Sequence, residues 1–323
     1  MTKTVIGFDI GGTKTAVVEG TSAGEILQRE EIPTRALEPF SRSMGRILEI
    51  AARFHAEAQK RDREVVALSV SVGGPLKIGE GVLLNPPNLP GWHGANLKEG
   101  FANSFPAIPC HVENDANAGA LAEFHFGVGK SYRGLRHLVF LTFGTGLGAG
   151  FVINGEILHG ASDTAGEVGH WRLSQGGPIA YGKQGSWEAF ASGSGLVHLA
   201  VQMYPWRWKP ETPIRELVEE ILKGDREALA VAEEAGKWMG RGMALLIDAL
   251  NPQVIVLGSL GVVLGERILA PARRVIAEEA LPQAGAVCEI VASPLGACIG
   301  DVAALMAALV QPSVRRLLAE GTK

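Results

Sequence analysis

Cysteine is scarce in this chain, with Cys110, Cys288 and Cys298 the only three among 323 residues. An odd number of widely spaced thiols offers no disulfide framework and fits a reducing compartment, so a cytoplasmic location is expected. A strong charge of one sign is also missing: 30 Lys+Arg face 34 Asp+Glu, for a formal charge of −4. That excludes the broad basic surface which draws in nucleic acid or anionic lipid, and neither partner is expected. No stretch approaches the ~20 apolar residues of a spanning helix, and the N-terminal MTKTVIGFDIGGTK contains no apolar segment of signal-peptide length. Membrane insertion and secretion are therefore not expected. What is abundant is glycine, 42 residues in clusters without a collagen-like period, on a background that is 46% hydrophobic. At roughly 100–200 residues per domain, the chain has material for two cores.

The glycine clusters interrupt apolar runs in a repeated way. Residues 4–10 read as a strand, Gly11-Gly12-Thr13 as a turn, and 16–19 as the returning strand. Residues 138–143 are again apolar, run into Gly144-Thr145-Gly146-Leu147-Gly148-Ala149-Gly150, and resume at Phe151-Val152-Ile153. One strand-turn-strand unit used twice predicts two related domains. Between these units, Met44, Ile47, Leu48, Ala51 and Phe54 mark an amphipathic helix over 41–61, and residues 65–72 form a strand. The Pro-rich segment 85–92 leads to a short strand at 108–112 and a helix at 116–124. Further helices are expected at about 187–203, 211–222, 225–235 and 236–249, then a strand at 254–257 closed by Gly258. The tail from Asp301 to about Leu318 is apolar enough to dock on a core. Alternating strands and helices give an α/β layered fold.

Asp9-Ile10-Gly11-Gly12-Thr13-Lys14 combines backbone N–H groups without Cβ shielding, a hydroxyl, and a carboxylate able to hold a metal-bound water. Such a turn lets a polyphosphate approach closely. A plain β-hairpin also uses Gly-Gly, but the Asp and Thr flanks and the second loop, Thr142-Phe143-Gly144-Thr145-Gly146, favour phosphate. It is not a dinucleotide fingerprint, because strand rather than helix follows the glycines. Gly127-Val128-Gly129-Lys130-Ser131 ends like a P-loop, yet Phe124 stands where that motif needs its first glycine, so a surface loop is the better account.

With Asp9–Lys14, Glu113-Asn114-Asp115-Ala116-Asn117-Ala118, the 142–150 loop and Ala165-Gly166-Glu167-Val168-Gly169-His170 in this order, the chain resembles the ROK family of bacterial sugar kinases. Asn88-Leu89-x-Gly91-Trp92, the stretch from Gly182 through Gly185 and Glu188 to Ser192-Gly193, and Leu295-Gly296 extend the match over nearly the whole length. The resemblance implies a two-domain, actin-like or hexokinase-type ATPase fold with an interdomain cleft. The expected division is 1–118, 119–294 and a C-terminal helix in 295–323 that packs back on the first domain. It implies ATP-dependent phosphorylation of a hexose hydroxyl, with Asp115 as general base where a short strand gives way to a helix. A bare helix N-cap would also suit an Asp there. Sugar-binding positions implied by the family are Gly74, Asn88, Asn114, Asp115, Glu167, His170 and Glu188. Those for ATP are Asp9, Gly11, Gly12, Thr13, Lys14, Thr142, Gly144, Thr145, Gly146, Gly258 and Ser259, with Mg2+ near Asp9. A homodimer is expected.

Two departures stand out. ROK kinases commonly bind a structural zinc through the sugar-site His and three cysteines, whose positions fall here on Ile179, Tyr181 and Ser186. His170 alone cannot complete a tetrahedral site, so no structural zinc is expected, and Ile179 and Tyr181 are expected to hold the 171–186 loop by apolar packing instead. The second departure is Ser259, which replaces one glycine of a pair and leaves nucleotide preference open. A helix-turn-helix regulator is not expected, since Asp9 has only eight residues before it. The alternatives that remain are a sugar-binding regulator or sensor with weak or no transfer, and a kinase for fructose or an N-acetylhexosamine.

Overall fold

The structure is a computed structural model that describes residues 1–320, and its contacts divide the chain into two compact units. The first comprises Met1–Phe126, His159–Ala165 and the stretch from Cys298 onward; the second comprises Gly127–Leu158 and Gly166–Ala297.

In the first unit, β1 (Thr2–Ile10), β2 (Lys14–Gly20) and β3 (Ile26–Pro33) form an antiparallel meander, while β4 (Arg63–Val72) and β5 (Cys110–Asn114) add in parallel, in the order β3-β2-β1-β4-β5. Helix α1 (Phe40–Lys60) buries Met44, Ile47, Ala51 and Phe54, as its 3.6-residue period requires. Helix α2 (Asp115–His125) starts directly at the end of β5. The helix Ile299–Leu309, followed by a last helix at Pro312–Glu320, lies close against β1 and β2, and glycine makes that approach possible: a Cβ on Gly7 would lie 2.8 Å from the Ala304 carbonyl carbon. Strand β3 escapes sequence reading because Gln28, Arg29, Glu30 and Glu31 cover an edge strand with no apolar alternation.

The second unit repeats the plan. β6 (Leu138–Phe143) and β7 (Leu147–Ile153) pair antiparallel, the two-residue strand Glu156–Ile157 extends the meander, and β8 (Val254–Leu257) and β9 (Glu289–Ala292) add in parallel. Strand β7 begins at Leu147, so the turn is only Gly144-Thr145-Gly146 and the later glycines lie in strand. Helix boundaries also differ from expectation. The span 187–203 is two helices, α3 (Trp187–Phe190) and α4 (Gly193–Met203), because Ser192 turns extended and its hydroxyl caps α4 by accepting from Gly195 N at 2.9 Å. After α5 (Ile214–Lys223), the two expected helices are one, α6 (Arg226–Leu250). Gly236 and Gly240 do not break α6; a Cβ there would meet Ile268 O and Ala272 O of α7 (Glu266–Glu279) at 2.7 and 2.5 Å. The glycines serve helix contact. Among the described residues no single helix is long and apolar enough to cross a membrane.

Candidate active site

In the first unit the parallel strands end together. Register pairs Asp9 with Ser71 and Ser71 with Glu113, so Asp9, the Gly73-Gly74 backbone and Asn114-Asp115 gather at the C-terminal edge of the sheet, where α/β folds place their chemistry. Asn114 caps α2: its Oδ1 accepts from Ala116 N at 2.9 Å and Asn117 N at 3.3 Å. Asp115 therefore is not the cap. Its Oδ1 accepts from Ala116 N at 2.8 Å, and the neighbour facing Oδ2 is the bare backbone of Gly73, where a Cβ would lie 3.6 Å away. The side chain is open to solvent on one side, yet the protein around it raises the carboxyl above its ordinary value, opposed by the N–H groups it accepts. A Cβ on Gly74 would crowd Asn114 Nδ2 at 3.3 Å, so that glycine preserves room beside the amide.

Asp9, at the same edge, is strongly perturbed as well. Burial first, then the nearby charges of Asp115 and Asp301, push its carboxyl up to about 7, while Lys14 and Ser71 pull the other way. Asp301 was missed by sequence reasoning. It comes from the helix Ile299–Leu309, one residue after Gly300, whose absent Cβ makes space for Asp9 Oδ2 at 2.7 Å, and Arg29 holds it at 2.9 Å. The first glycine turn is fastened by another unanticipated residue, Thr34, which donates N–H to Thr13 O at 3.0 Å and Oγ1 to Gly11 O at 2.7 Å. Gly12 fits against the Asn88 carbonyl, 2.6 Å from where a Cβ would sit. The Lys14 ammonium pairs with Glu31 at 3.0 Å on the exposed surface. Behind Asn114, buried Glu113 accepts from Asn114 N at 2.9 Å and Asn117 Nδ2 at 3.0 Å, and lies 2.8 Å from His159 Nε2, which the contact keeps protonated to higher pH than usual.

In the second unit, Gly193 N donates to Gly144 O at 2.7 Å and Ser194 N to Thr145 O at 3.2 Å, so the N-terminus of α4 fixes the glycine turn. Thr142 pairs with Gly148 just before the turn. Beside the turn lies a cavity of about 410 Å3, lined by Gly144, Thr145, Ile214, Ser259, Leu260 and Val263 among others. Among the described residues no charged side chain lines it. Gly258 has no room for a side chain, since a Cβ would lie 2.6 Å from the Phe140 ring, whereas Ser259 takes a left-handed backbone with φ 50°.

Glu188, from α3, is not a solvated helix residue. One oxygen, Oε2, accepts both Leu147 N at 2.8 Å and the Tyr181 hydroxyl, and it packs on Gly146, where a Cβ would come within 2.7 Å. His170 stacks on Tyr181 with 3.6 Å between ring centres, and its carbonyl accepts from Lys183 Nζ. Glu167 lies three residues earlier on an exposed stretch. The expected packing of Ile179 is overturned: the residue is 59% exposed, and hydrogen bonds together with Trp171 and Leu173 packed on the core hold the loop. The strands Ile179–Ala180 and Lys183–Gln184 pair as a hairpin, Leu173 N donates to Gly185 O, and buried Ser186 caps α3. Ile179 has no donor atom for zinc, and the Tyr181 and Ser186 hydroxyls are engaged elsewhere, so these residues do not fit that metal.

The chain belongs to the ROK family, whose profile matches residues 5–311. A glucokinase from Thermotoga maritima is 30% identical over 308 residues, covering 90% of this chain and 92% of its own. A xylose repressor from Caldicellulosiruptor bescii is 26% identical over 282 residues, covering 84% of this chain and 69% of its own. Among solved structures, a ROK family glucokinase from Streptomyces griseus in complex with glucose and AMPPNP aligns with a TM-score of 0.77 at 28% identity, over 93% of this chain and 97% of that one. The fold is thus the actin-like, hexokinase-type ATPase fold. Since the relatives include a kinase and a repressor, the chemistry has to be argued from the site.

Proposed function

We propose that the protein transfers the γ-phosphoryl group of ATP to a hexose hydroxyl, with Asp115 as general base. The observation that carries this reading is the Asp115 carboxylate at the strand ends, with Oδ1 held by Ala116 N and Oδ2 beside the bare Gly73 backbone. Oδ1 fixes the orientation while Oδ2 is left to accept the hydroxyl proton as the new O–P bond forms and the bond from the γ-phosphorus to the bridging oxygen breaks. Its raised pKa strengthens it as a base at neutral pH. Asn114 Nδ2, Asn88, Gly74, Glu167, His170 and Glu188 are the sugar-reading groups in this proposal. The 410 Å3 apolar slot beside Gly144-Thr145 suits a purine, and the Thr145 and Gly146 N–H groups are the ones proposed for phosphate, since Gly144 N donates to Gly146 O.

Asp9 and Asp301 fit a divalent cation accompanying the nucleotide. They are hard oxygen donors, Asp9 being raised to about 7 by burial first and then by Asp115 and Asp301, and among the described residues no cluster of three such side chains cages a metal alone. Mg2+, when bound with ATP, neutralises charge on the β- and γ-phosphates. Asp9 orients that charge from the protein side. A coupled ADP-release assay with glucose, mannose, fructose and N-acetylhexosamines tests the reading, with turnover on at least one expected. Hexose binding without ADP release would instead establish the sensor or regulator alternative that the xylose repressor relative represents.

A further inference from the structure

We infer that Tyr181 is a positioning residue of the sugar pocket, setting His170 with its ring and Glu188 with its hydroxyl. The inference rests on the sugar roles proposed above for those two residues. Its starting point is backbone geometry. Tyr181 and Gly182 form the two-residue turn between paired Ala180 and Lys183, and both have positive φ, 54° and 69°. Such a turn favours Asn, Asp or Gly at its first position, and a bulky aromatic there is a conformational outlier. An outlier that persists needs compensating contacts, and it points to function only when those contacts do.

Here they do. The Tyr181 ring stacks on His170, 3.6 Å between centres and 20° between planes, while the hydroxyl donates to Glu188 Oε2. That oxygen also accepts Leu147 N at 2.8 Å, immediately after the Gly144-Thr145-Gly146 turn. Oε2 is thereby saturated by two donors, and Glu188 offers Oε1 to a ligand in a fixed direction. Burial and the neighbouring Glu188 push the phenol pKa well above its ordinary value, so the hydroxyl keeps its proton and remains a donor. Lys183, at the other side of the same turn, donates to His170 O and fixes the backbone behind the stacked ring. A single residue therefore sets two groups that arise from separate elements.

The test uses the full-length protein and three variants. Tyr181→Phe keeps the ring and loses the hydroxyl, and Tyr181→Ala loses both. Tyr181→Gly also relaxes the turn, so a purely structural role predicts that it is harmless or stabilising. Glucose, or the hexose selected by the ADP-release panel, is titrated calorimetrically, and the KM for ATP and the melting temperature are measured alongside. Expected are a roughly tenfold weaker sugar Kd for Tyr181→Phe, as for one lost bond to a charged group, and a larger loss for Tyr181→Gly at an equal or higher melting temperature. The KM for ATP should stay within about twofold in every variant, since uniform binding of the other substrate is untouched. The inference is overturned if sugar Kd is unchanged in Tyr181→Phe and Tyr181→Gly, if ATP affinity falls in parallel, or if the wild-type protein binds no hexose. Sugar binding that responds to these variants in a protein without ADP release would sink the kinase reading and leave this one standing.

Discussion

The two glycine turns occupy equivalent places in sheets of the same plan, yet their glycines are glycine for different reasons. In the first unit four residues lie between the paired Ile10 and Thr15, and in the second three lie between Phe143 and Leu147. Gly12 is glycine because the protein takes its space, with the Asn88 carbonyl 2.6 Å from the would-be Cβ. Gly144 is glycine although the protein leaves that space open, since its nearest neighbour there is Ser259 Oγ at 3.9 Å. The strand ends differ as well: the carboxylate of Asp9 precedes the first turn and the neutral Thr142 the second, whose adjoining slot is lined by no charged side chain among the described residues. A duplicated scaffold has been specialised into an acidic edge and an apolar cavity.

The largest expected effect tests the acidic edge. Asp115→Asn keeps an oxygen for Ala116 N but removes the basic one, so kcat should fall by at least ~10²-fold with sugar Kd within roughly tenfold. Near-normal turnover in that variant would take the base out of this unit altogether. Next comes the contrast between the glycines. A Cβ at Gly144 meets nothing nearer than Ser259 Oγ at 3.9 Å and borders the cavity, so Gly144→Val should raise the KM for ATP by roughly tenfold with little change in melting temperature. Gly12→Ala should instead cost about 1–3 kcal/mol in stability, because a Cβ forces the Asn88 backbone to shift. Denaturation curves and KM measurements on both variants check this, and exchange of the two phenotypes would reverse the comparison.

A smaller effect concerns pH. Asp9 titrates near 7 in the folded chain against an ordinary 3.8, chiefly from burial and then from Asp115 and Asp301. Between those values the folded state binds more protons than the unfolded one, so this group lowers stability progressively as pH rises from 3.8 to 7. Asp9→Asn removes the liability and should raise the melting temperature at pH 8 by roughly 3–8 °C, with little gain at pH 4, while impairing transfer. Thr142→Val, at the matching position of the second unit, should show no such pH dependence. Thermal melts at both pH values decide the matter.

What could be read from the chain alone was local and apolar. The two strand-turn-strand units, α1 and β4 follow from hydrophobic period, and the site residues from short motifs that hold their order. What escaped was non-local or polar. Asp301 reaches Asp9 from 292 positions away in sequence through helix packing, and Thr34 fastens a turn that it does not adjoin. Strand β3 has no apolar alternation, and the glycines of α6 look like breaks until α7 is set against them. The sequence suggests only apolar packing for Tyr181, because the partner of its hydroxyl and its turn geometry arise from the fold. A weak signal did exist, for Gly182 after Tyr181, between the short stretches Ile179-Ala180 and Lys183-Gln184, marks a two-residue turn with an unusual first residue.

The smallest expected effect is the absence of one. If the 171–186 loop is held by its own bonds, chelation with subsequent Mg2+ replacement should leave the melting temperature and activity unchanged, and purified protein should contain far less than one zinc per chain. The comparison that gives this weight is internal to the loop. Ser186, at one of the family's cysteine positions, is fully buried and its hydroxyl accepts from Ala189 N at 3.3 Å as the α3 N-cap. Ser186→Ala should therefore cost about 1 kcal/mol, the ordinary value of a cap, and Ser186→Cys should not restore metal binding because Ile179 still supplies no ligand. Stoichiometric zinc by elemental analysis, or a chelator-induced drop in melting temperature that exceeds the Ser186→Ala loss, would show that a metal rather than hydrogen bonding closes this loop.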